Sequence, residues 1–299
     1  MEGTPKTLTS CTTPAANKMV VTTETPKLTR LRKTIIELLL SNHPNDCMCC
    51  EASGNCDLQE MAYMYGASLE KFPGEKWDLP IKEDNPFITF EPNKCIVCGR
   101  CTRICNEVVM AGTIDMTSRC FTAMPDTAFS KPRSLLNCEL CGQCVSACPT
   151  GALSDRKSRG MGRSSEVTRV KTTCSYCGTG CNFFLKVHDG KVIGVDSDYD
   201  APVNQGNLCI KGRYGHDFIH SKDRITTPLI KEGDGFREAS WDEALELIAS
   251  KFNQIIKEHG PDTVGGFSSS RCTNEENYLL AKWVRTAMGT NNVDNCARV

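Results

Sequence analysis

One histidine and most of the twenty cysteines in this sequence fall into four sets whose spacing suits iron–sulfur ligation. The sets are His43, Cys47, Cys50 and Cys56; Cys95, Cys98, Cys101 and Cys105; Cys138, Cys141, Cys144 and Cys148; and Cys174, Cys177, Cys181 and Cys209. Four sets of four ligands match four cubane 4Fe–4S clusters, and a row of clusters in one chain implies movement of single electrons. Disulfides are the alternative, but they suit small secreted chains, and x2 and x3 intervals are too tight for a set of well-formed long-range bridges. Metal ligation in a reducing compartment follows. The remaining thiols, Cys11, Cys49, Cys120, Cys272 and Cys296, read by default as buried thiols or bystanders.

CIVCGRCTRIC (Cys95 to Cys105) and CELCGQCVSACP (Cys138 to Cys148) both spell C-x2-C-x2-C-x3-C. This is the two-cluster ferredoxin run, whose fourth cysteine ligates the other cluster. Three thiolates on a tight loop grip three corners of a cube, with backbone N–H groups aimed at the sulfurs, and the fourth corner is reached from elsewhere. Cys95, Cys98, Cys101 and Cys148 are therefore expected at one cluster, and Cys138, Cys141, Cys144 and Cys105 at the other. Zinc also uses C-x2-C pairs, but the duplicated spacing favours iron–sulfur. Asn106 stands where a proline often follows the fourth cysteine.

The set in HPNDCMCCEASGNC reads H-x3-C-x2-C-x5-C and, with GNCDLQ, resembles the one-histidine, three-cysteine cluster motif of the complex I iron–sulfur subunit. FeFe-type hydrogenases and formate dehydrogenases with the same extension share it. An imidazole in place of a thiolate alters cluster charge and potential. CSYCGTGC, with Cys209 in GNLCIKGRYG, reads C-x2-C-x3-C-x27-C and resembles the cluster domain of molybdenum and tungsten bis-pterin oxidoreductases. In that family the lysine two residues past the fourth cysteine lies between cluster and pterin, which implies a relay position for Lys211.

GGFSSSRCTNEENYLLAKWVRTAMGTNNVDNCARV resembles the formate dehydrogenase catalytic subunit. The resemblance implies that Ser268, Arg271, Cys272, Asn274, Glu275 and Asn277 contact a pterin-guanine dinucleotide. A Gly-rich strand end leading into a helix N-terminus suits a phosphate-bearing cofactor. In that family NNVDxCARV precedes a cysteine or selenocysteine metal ligand and a catalytic histidine. Val299 falls just before that ligand, so a UGA codon read as a stop is expected next. At the other end, EGTPKTLTSCTTP resembles the tail of a plant-type 2Fe–2S domain, with Cys11 matching its fourth ligand. A 2Fe–2S cluster is not expected here, and no catalytic residue falls within these residues.

These motifs need particular elements around them. Thr25-Pro26 opens a helix, Thr as N-cap and Pro at the first position, which should end near Asn42. Its apolar face reads as Leu28, Leu31, Ile35, Leu38 and Leu39. Lys18 to Thr23 is strand-like, Leu58 to Tyr65 a short helix, and 66–90 loop-rich. Asn182 to His188 and Lys191 to Asp196 form a hairpin around Asp189-Gly190. Ser240-Trp241-Asp242-Glu243 is a capping box opening a helix to about Glu258, with Ala244, Leu245, Leu247, Ile248, Phe252 and Ile255 available for burial. Val264 to Ser268 is a buried-strand candidate, followed by a helix from about Asn274 to Met288. That alternation predicts the start of an α/β layer.

The expected fold class is α+β and multidomain. A 2Fe–2S remnant (1–24) precedes a histidine-ligated cluster domain (25–83) and a two-cluster ferredoxin-like domain (84–158). A linker (159–166), part of the basic RKSRGMGRSSE, leads to the molybdopterin oxidoreductase cluster domain (167–223) and the beginning of an α/β pterin-binding domain (224–299). At net charge −1 and pI about 6.5 there is no electrostatic footprint for nucleic acid or anionic membrane. No apolar run approaches a membrane span, the best being Thr34 to Leu40, and the N-terminus has no signal-peptide core, so the cytoplasm is expected.

The resemblances imply the electron-relay portion of a formate dehydrogenase alpha subunit, oxidising formate or reducing CO2 at a Mo or W bis-pterin centre in the full enzyme. Electrons would run from the Cys174 set through the ferredoxin pair and the His43 set to a diaphorase- or hydrogenase-type subunit, or to a ferredoxin or NAD(P)-linked module. No formate turnover is expected from these residues alone. A standalone polyferredoxin, or an iron–sulfur subunit of a complex I-like or hydrogenase assembly, is the rival reading.

Overall fold

The Thr25 hydroxyl accepts the Leu28 N–H at 3.2 Å, and Pro26 stands where a missing N–H costs nothing. Helix α1 (Pro26–Asn42) therefore starts where the residue types demand, and stops where His43 turns extended ahead of Pro44. A computed structural model describes residues 6–296. They divide between two compact units, one of Met1–Asn137 with Ala147–Ser165 and one of Cys138–Ser146 with Glu166–Val299.

In the first unit, Ile36 and Leu40 of α1 pack on Leu58 of α2 (Asp57–Tyr65). The buried face of α1 is not the predicted one: Leu31, Ile35 and Leu38 are exposed, and only Leu39 of that stripe joins the packing. The helix carries two apolar stripes, and the short α2 covers the one through Ile36 and Leu40. Lys18 to Thr23 forms no strand; Val20 and Val21 are exposed and no sheet among the described residues includes them. A β-run without a neighbour leaves its backbone groups to water and gains nothing from regularity.

Strand β1 (Ile88–Phe90) precedes the first ferredoxin-type run, whose cysteines lead into α3 (Arg100–Arg103) and a π-turn over Ile104–Val108. The hairpin of β2 (Ile114–Thr117) and β3 (Met124–Thr127) follows. Strand β4 (Leu153–Asp155) comes after the second run and closes antiparallel on β1, Ile88 opposite Asp155 and Phe90 opposite Leu153. Ile88, Phe90 and Leu153 are buried there.

The second unit begins with the loop entering α4 (Gln143–Ala147). Strands β5 (Thr168–Thr173), β6 (Asn182–His188) and β7 (Lys191–Ser197) form an antiparallel sheet. Asp189 and Gly190 take φ of 47° and 72°, the turn needed to join β6 to β7 in two residues. Phe183, Val195 and Leu208 bury Cys174. Helix α5 (Ile210–Tyr214) follows Cys209, then the β8 (Leu229–Glu232) and β9 (Gly235–Glu238) hairpin.

Helix α6 (Trp241–His259) starts as predicted, with the Ser240 hydroxyl accepting the Glu243 N–H, but the box closes on one side only. The Glu243 carboxylate goes to Arg237 at 2.5 Å instead. Its predicted burial is also narrower: Leu245, Leu247, Ile248 and Ile255 are exposed, while Phe252 and Ile256 meet Val264, Val284 and Met288. Strand β10 is shorter and less buried than its sequence suggests, Gly266–Ser268 with Phe267 exposed. Helix α7 (Asn274–Trp283) opens with a reciprocal capping box of Thr273 and Glu276 and widens into a π-turn at Val284–Met288. Strand β11 (Val293–Asn295) then pairs parallel with β10, which is the expected α/β alternation.

Candidate iron–sulfur and cofactor sites

His43 closes α1, its N–H donating to the Leu40 carbonyl and its Nδ1 accepting the Asn45 N–H at 3.1 Å. The ring is buried, and that burial pushes its pKa down, favouring the neutral imidazole that a metal requires. Cys47 sits in a single turn, and Cys56 is the N-cap of α2, where the Leu58 and Gln59 N–H groups face its sulfur. Burial nevertheless raises Cys50 and Cys56 above the ordinary thiol range. His43, Cys47 and Cys56 line one cavity of about 240 Å³ with Leu40, Leu58 and Tyr63.

Cys95, Cys98, Cys101 and Cys148 line another cavity, walled by Phe90, Ile96, Pro125 and Leu153. The chain thus brings the fourth cysteine of the second run to the first three of the first run. Burial pushes Cys95 to about 11, and the Val97 N–H donates to its sulfur at 3.4 Å. Sequence reasoning missed what lies between this cavity and the His43 set. Lys94 is buried, paired with Glu91 at 2.8 Å and Asp46 at 3.3 Å, and interacts with Cys50. Its carbonyl accepts the Thr150 hydroxyl, which also meets Cys148. The only sequence signal was a lysine abutting Cys95.

Cys105 lies in the π-turn of the first unit, and Cys138, Cys141 and Cys144 belong to the second. Burial raises Cys141 to about 11, against the opposing effect of the Gln143 N–H. Arg213, which the sequence did not single out, is buried beside this loop and donates to the Cys141 carbonyl at 2.9 Å.

Cys174, Cys177, Cys181 and Cys209 lie close enough to influence one another's charge. Cys174 is buried, and its N–H donates to the Cys181 carbonyl at 2.8 Å. Cys177 is shifted down by the Thr179 hydroxyl and N–H, and by the nearby charges of Lys211 and Arg271. Lys211 itself is exposed on α5. The loop carrying Cys177 packs on the predicted cofactor segment: Gly178 N–H donates to the Ser270 carbonyl at 3.1 Å. Ser268 hydrogen-bonds Asn277, whose amide also reaches the Cys272 and Thr273 carbonyls. Asn277 therefore shapes this loop, while Arg271, Asn274 and Glu275 are exposed around it.

The donor chemistry fits iron–sulfur clusters. Buried thiols raised this far stay protonated in an empty protein, and bound metal removes the proton outright. Apolar walls and N–H groups aimed at sulfur are the surroundings that set a cluster's potential.

Four family models match in succession. They are the NADH-ubiquinone oxidoreductase-G iron-sulfur binding region (32–69) and the ferredoxin-like domain of NADH-quinone oxidoreductase subunit 3 (85–154). The molybdopterin oxidoreductase Fe4S4 domain (167–221) and molybdopterin oxidoreductase (224–299) follow. The chain thus carries molybdopterin oxidoreductase-type domains over 167–221 and 224–299, preceded by NADH-quinone oxidoreductase-type iron–sulfur domains.

The alpha subunit of the Geobacter sulfurreducens NADPH-Fe(3+) oxidoreductase is 40% identical over all of this chain and 34% of its own length. A subunit of the Rhizobium meliloti NADH-quinone oxidoreductase is 36% identical, again over all of this chain and 34% of its own. A Staphylococcus aureus protein provisionally named a formate dehydrogenase is 31% identical over 97% of this chain and 33% of its own. The chain spans about a third of the length of these relatives. Among the described residues, no helix is long and apolar enough to cross a membrane.

Proposed function

We propose that this chain is the electron-transfer portion of a formate dehydrogenase, holding four 4Fe–4S clusters between a Mo or W bis-pterin site and a partner redox subunit. The observation that carries the reading is the hydrogen bond from Gly178 to Ser270, which joins the Cys177 loop to the segment resembling a formate dehydrogenase pterin site. Bound clusters supply one-electron transfer, and the pterin metal supplies the paired-electron chemistry of formate and CO2.

The residues of the chain supply the rest. His43, Cys47, Cys50 and Cys56 hold one cluster; Cys95, Cys98, Cys101 and Cys148 a second; Cys138, Cys141, Cys144 and Cys105 a third; and Cys174, Cys177, Cys181 and Cys209 the fourth. Phe90, Ile96 and Leu153 keep water from the second. Ser268, Arg271, Cys272, Asn274, Glu275 and Asn277 hold the pterin dinucleotide, with Lys211 as the relay residue on the cluster side. The partner is a diaphorase- or hydrogenase-type subunit, and the assembly is cytoplasmic.

A second reading follows from the two more identical relatives, whose names describe NADPH–iron and NADH–quinone oxidoreduction. In it the electrons come from a nicotinamide nucleotide. The test is anaerobic EPR on the native complex. Formate should produce reduced-cluster signals without any added nucleotide. Signals that appear with NADH or NADPH and never with formate would support the second reading. Zinc in place of iron and acid-labile sulfide in the purified chain would overturn both.

A further inference from the structure

Arg213 is a buried guanidinium at the junction of two cysteine sets in the second unit. Its Nε donates to the Cys141 carbonyl at 2.9 Å, and its terminal nitrogen donates to Gln143 Oε1 at 2.8 Å and Ser197 Oγ at 2.9 Å. Cys141 and Gln143 belong to the loop of the Cys138 set. Arg213 itself stands four positions past Cys209 on α5, and Ser197 ends β7 opposite Phe183, which packs with Cys174. The Gln143 amide continues the contact, donating to Asn207 Oδ1 at 2.6 Å. Tyr199 and Ser197 reach Ser146 in α4, the helix this loop enters.

The packing is close. Gly142 has φ of 70°, and a Cβ there would collide with Arg213 Cδ and the Tyr214 hydroxyl. The glycine is required twice, by its backbone and by the arginine lying on it.

The charge matters more than the packing. A guanidinium is a permanent cation, and burying one is costly unless a counter-charge lies near. The three hydrogen bonds described go to a carbonyl, an amide oxygen and a hydroxyl, all neutral. A cubane held by thiolates is an anion, and Cys141 is the ligand whose carbonyl the guanidinium holds. We propose that Arg213 is the positioning residue of the joint between the Cys138 and Cys174 sets, and that its charge raises the reduction potential of the cluster at Cys138, Cys141 and Cys144.

The first ferredoxin-type loop supplies the internal control. Arg100 there takes the place of Gln143, is solvent-exposed, and pairs with the exposed Asp57. A neutralised surface charge does little to a potential, whereas a buried one facing a cluster acts through low dielectric.

This inference rests on the iron–sulfur reading above, and iron with acid-labile sulfide in the wild-type chain checks that reading separately. The test is an EPR-monitored redox titration of the full chain, assembled anaerobically, with Arg213→Met, Arg213→Gln and Arg213→Lys. Either neutral variant that keeps wild-type iron and sulfide should titrate with one cluster shifted to lower potential and the others unmoved. Arg213→Lys, which keeps the charge, should stay near wild type. Neutral variants that titrate as wild type overturn the proposal. If both neutral variants lose iron, the lysine variant decides. Retained iron and potential support the charge role, whereas loss equal to that of the neutral variants, since lysine lacks the fork, shows packing alone and overturns it.

Discussion

Val97 and Leu140 hold the same place in the two ferredoxin-type loops, with φ of 55° and 54°, and Gly99 and Gly142 both take 70°. The two backbones are copies. Their surroundings are not. A Cβ on Gly99 would meet only Arg103 and Thr102 at 3.6 and 3.7 Å, ordinary contact distances, while Gly142 lies under Arg213 and Tyr214. The first loop is tied down by a surface ion pair, the second by a buried guanidinium. The loop conformation is thus set locally, by where left-handed residues fall, and each copy's electrostatic setting comes from distant sequence.

The largest test of the comparison is ligand removal. Cys148→Ser should cost the Cys95, Cys98 and Cys101 set its cluster, a loss of about four iron atoms per chain by metal analysis. Iron lost instead from the Cys138 set, identified by its potential, would mean that each loop holds its own fourth ligand. Gly142→Ala comes next. It meets left-handed strain and overpacking together, roughly 2–4 kcal/mol of unfolding stability, against about 1 kcal/mol for Gly99→Ala. Equal losses in denaturant unfolding would erase the difference between the loops. Arg100→Ala should cost about 1 kcal/mol or less, because the Asp57 pair is solvent-screened.

The smallest effect concerns the hairpin after the first loop. Burial alone would raise the Asp126 carboxyl, but Lys82, Ser130 and the Thr127 N–H hold it below the ordinary carboxylate range. A depressed carboxylate contributes stability above its unfolded value of about 4, and that stability fades as pH falls through the folded value. Lys82→Met should flatten the stability–pH curve in that acid range. An unchanged slope would show that the pair does not couple to folding.

Much of this was legible because the signals are local. Thr25-Pro26 and Asp189-Gly190 each fix a boundary with their own backbone chemistry, and cysteine intervals report loop geometry directly. Burial was harder to read. Helix α1 has two apolar stripes, and choosing between them needed α2. Glu243 fits a capping box, but Arg237, six residues upstream, offers a charge-assisted partner instead. Arg213 was invisible for the same reason: nothing within its own motif says that it reaches Cys141, seventy-two residues earlier. In the site, ligand spacing could be read, and the charges that surround the ligands could not.

The left-handed pair in each loop has a consequence for how such a chain can be enlarged. Alternating hand along the backbone turns successive N–H groups toward one side, a concave anion seat made of main chain alone. A seat of that kind needs few particular side chains between its cysteines. Valine serves in one copy and leucine in the other, and arginine follows the glycine in one copy where glutamine follows it in the other. The unit is therefore portable: a chain can repeat it as a fixed component and adjust each copy afterwards by choosing what packs on its outer surface.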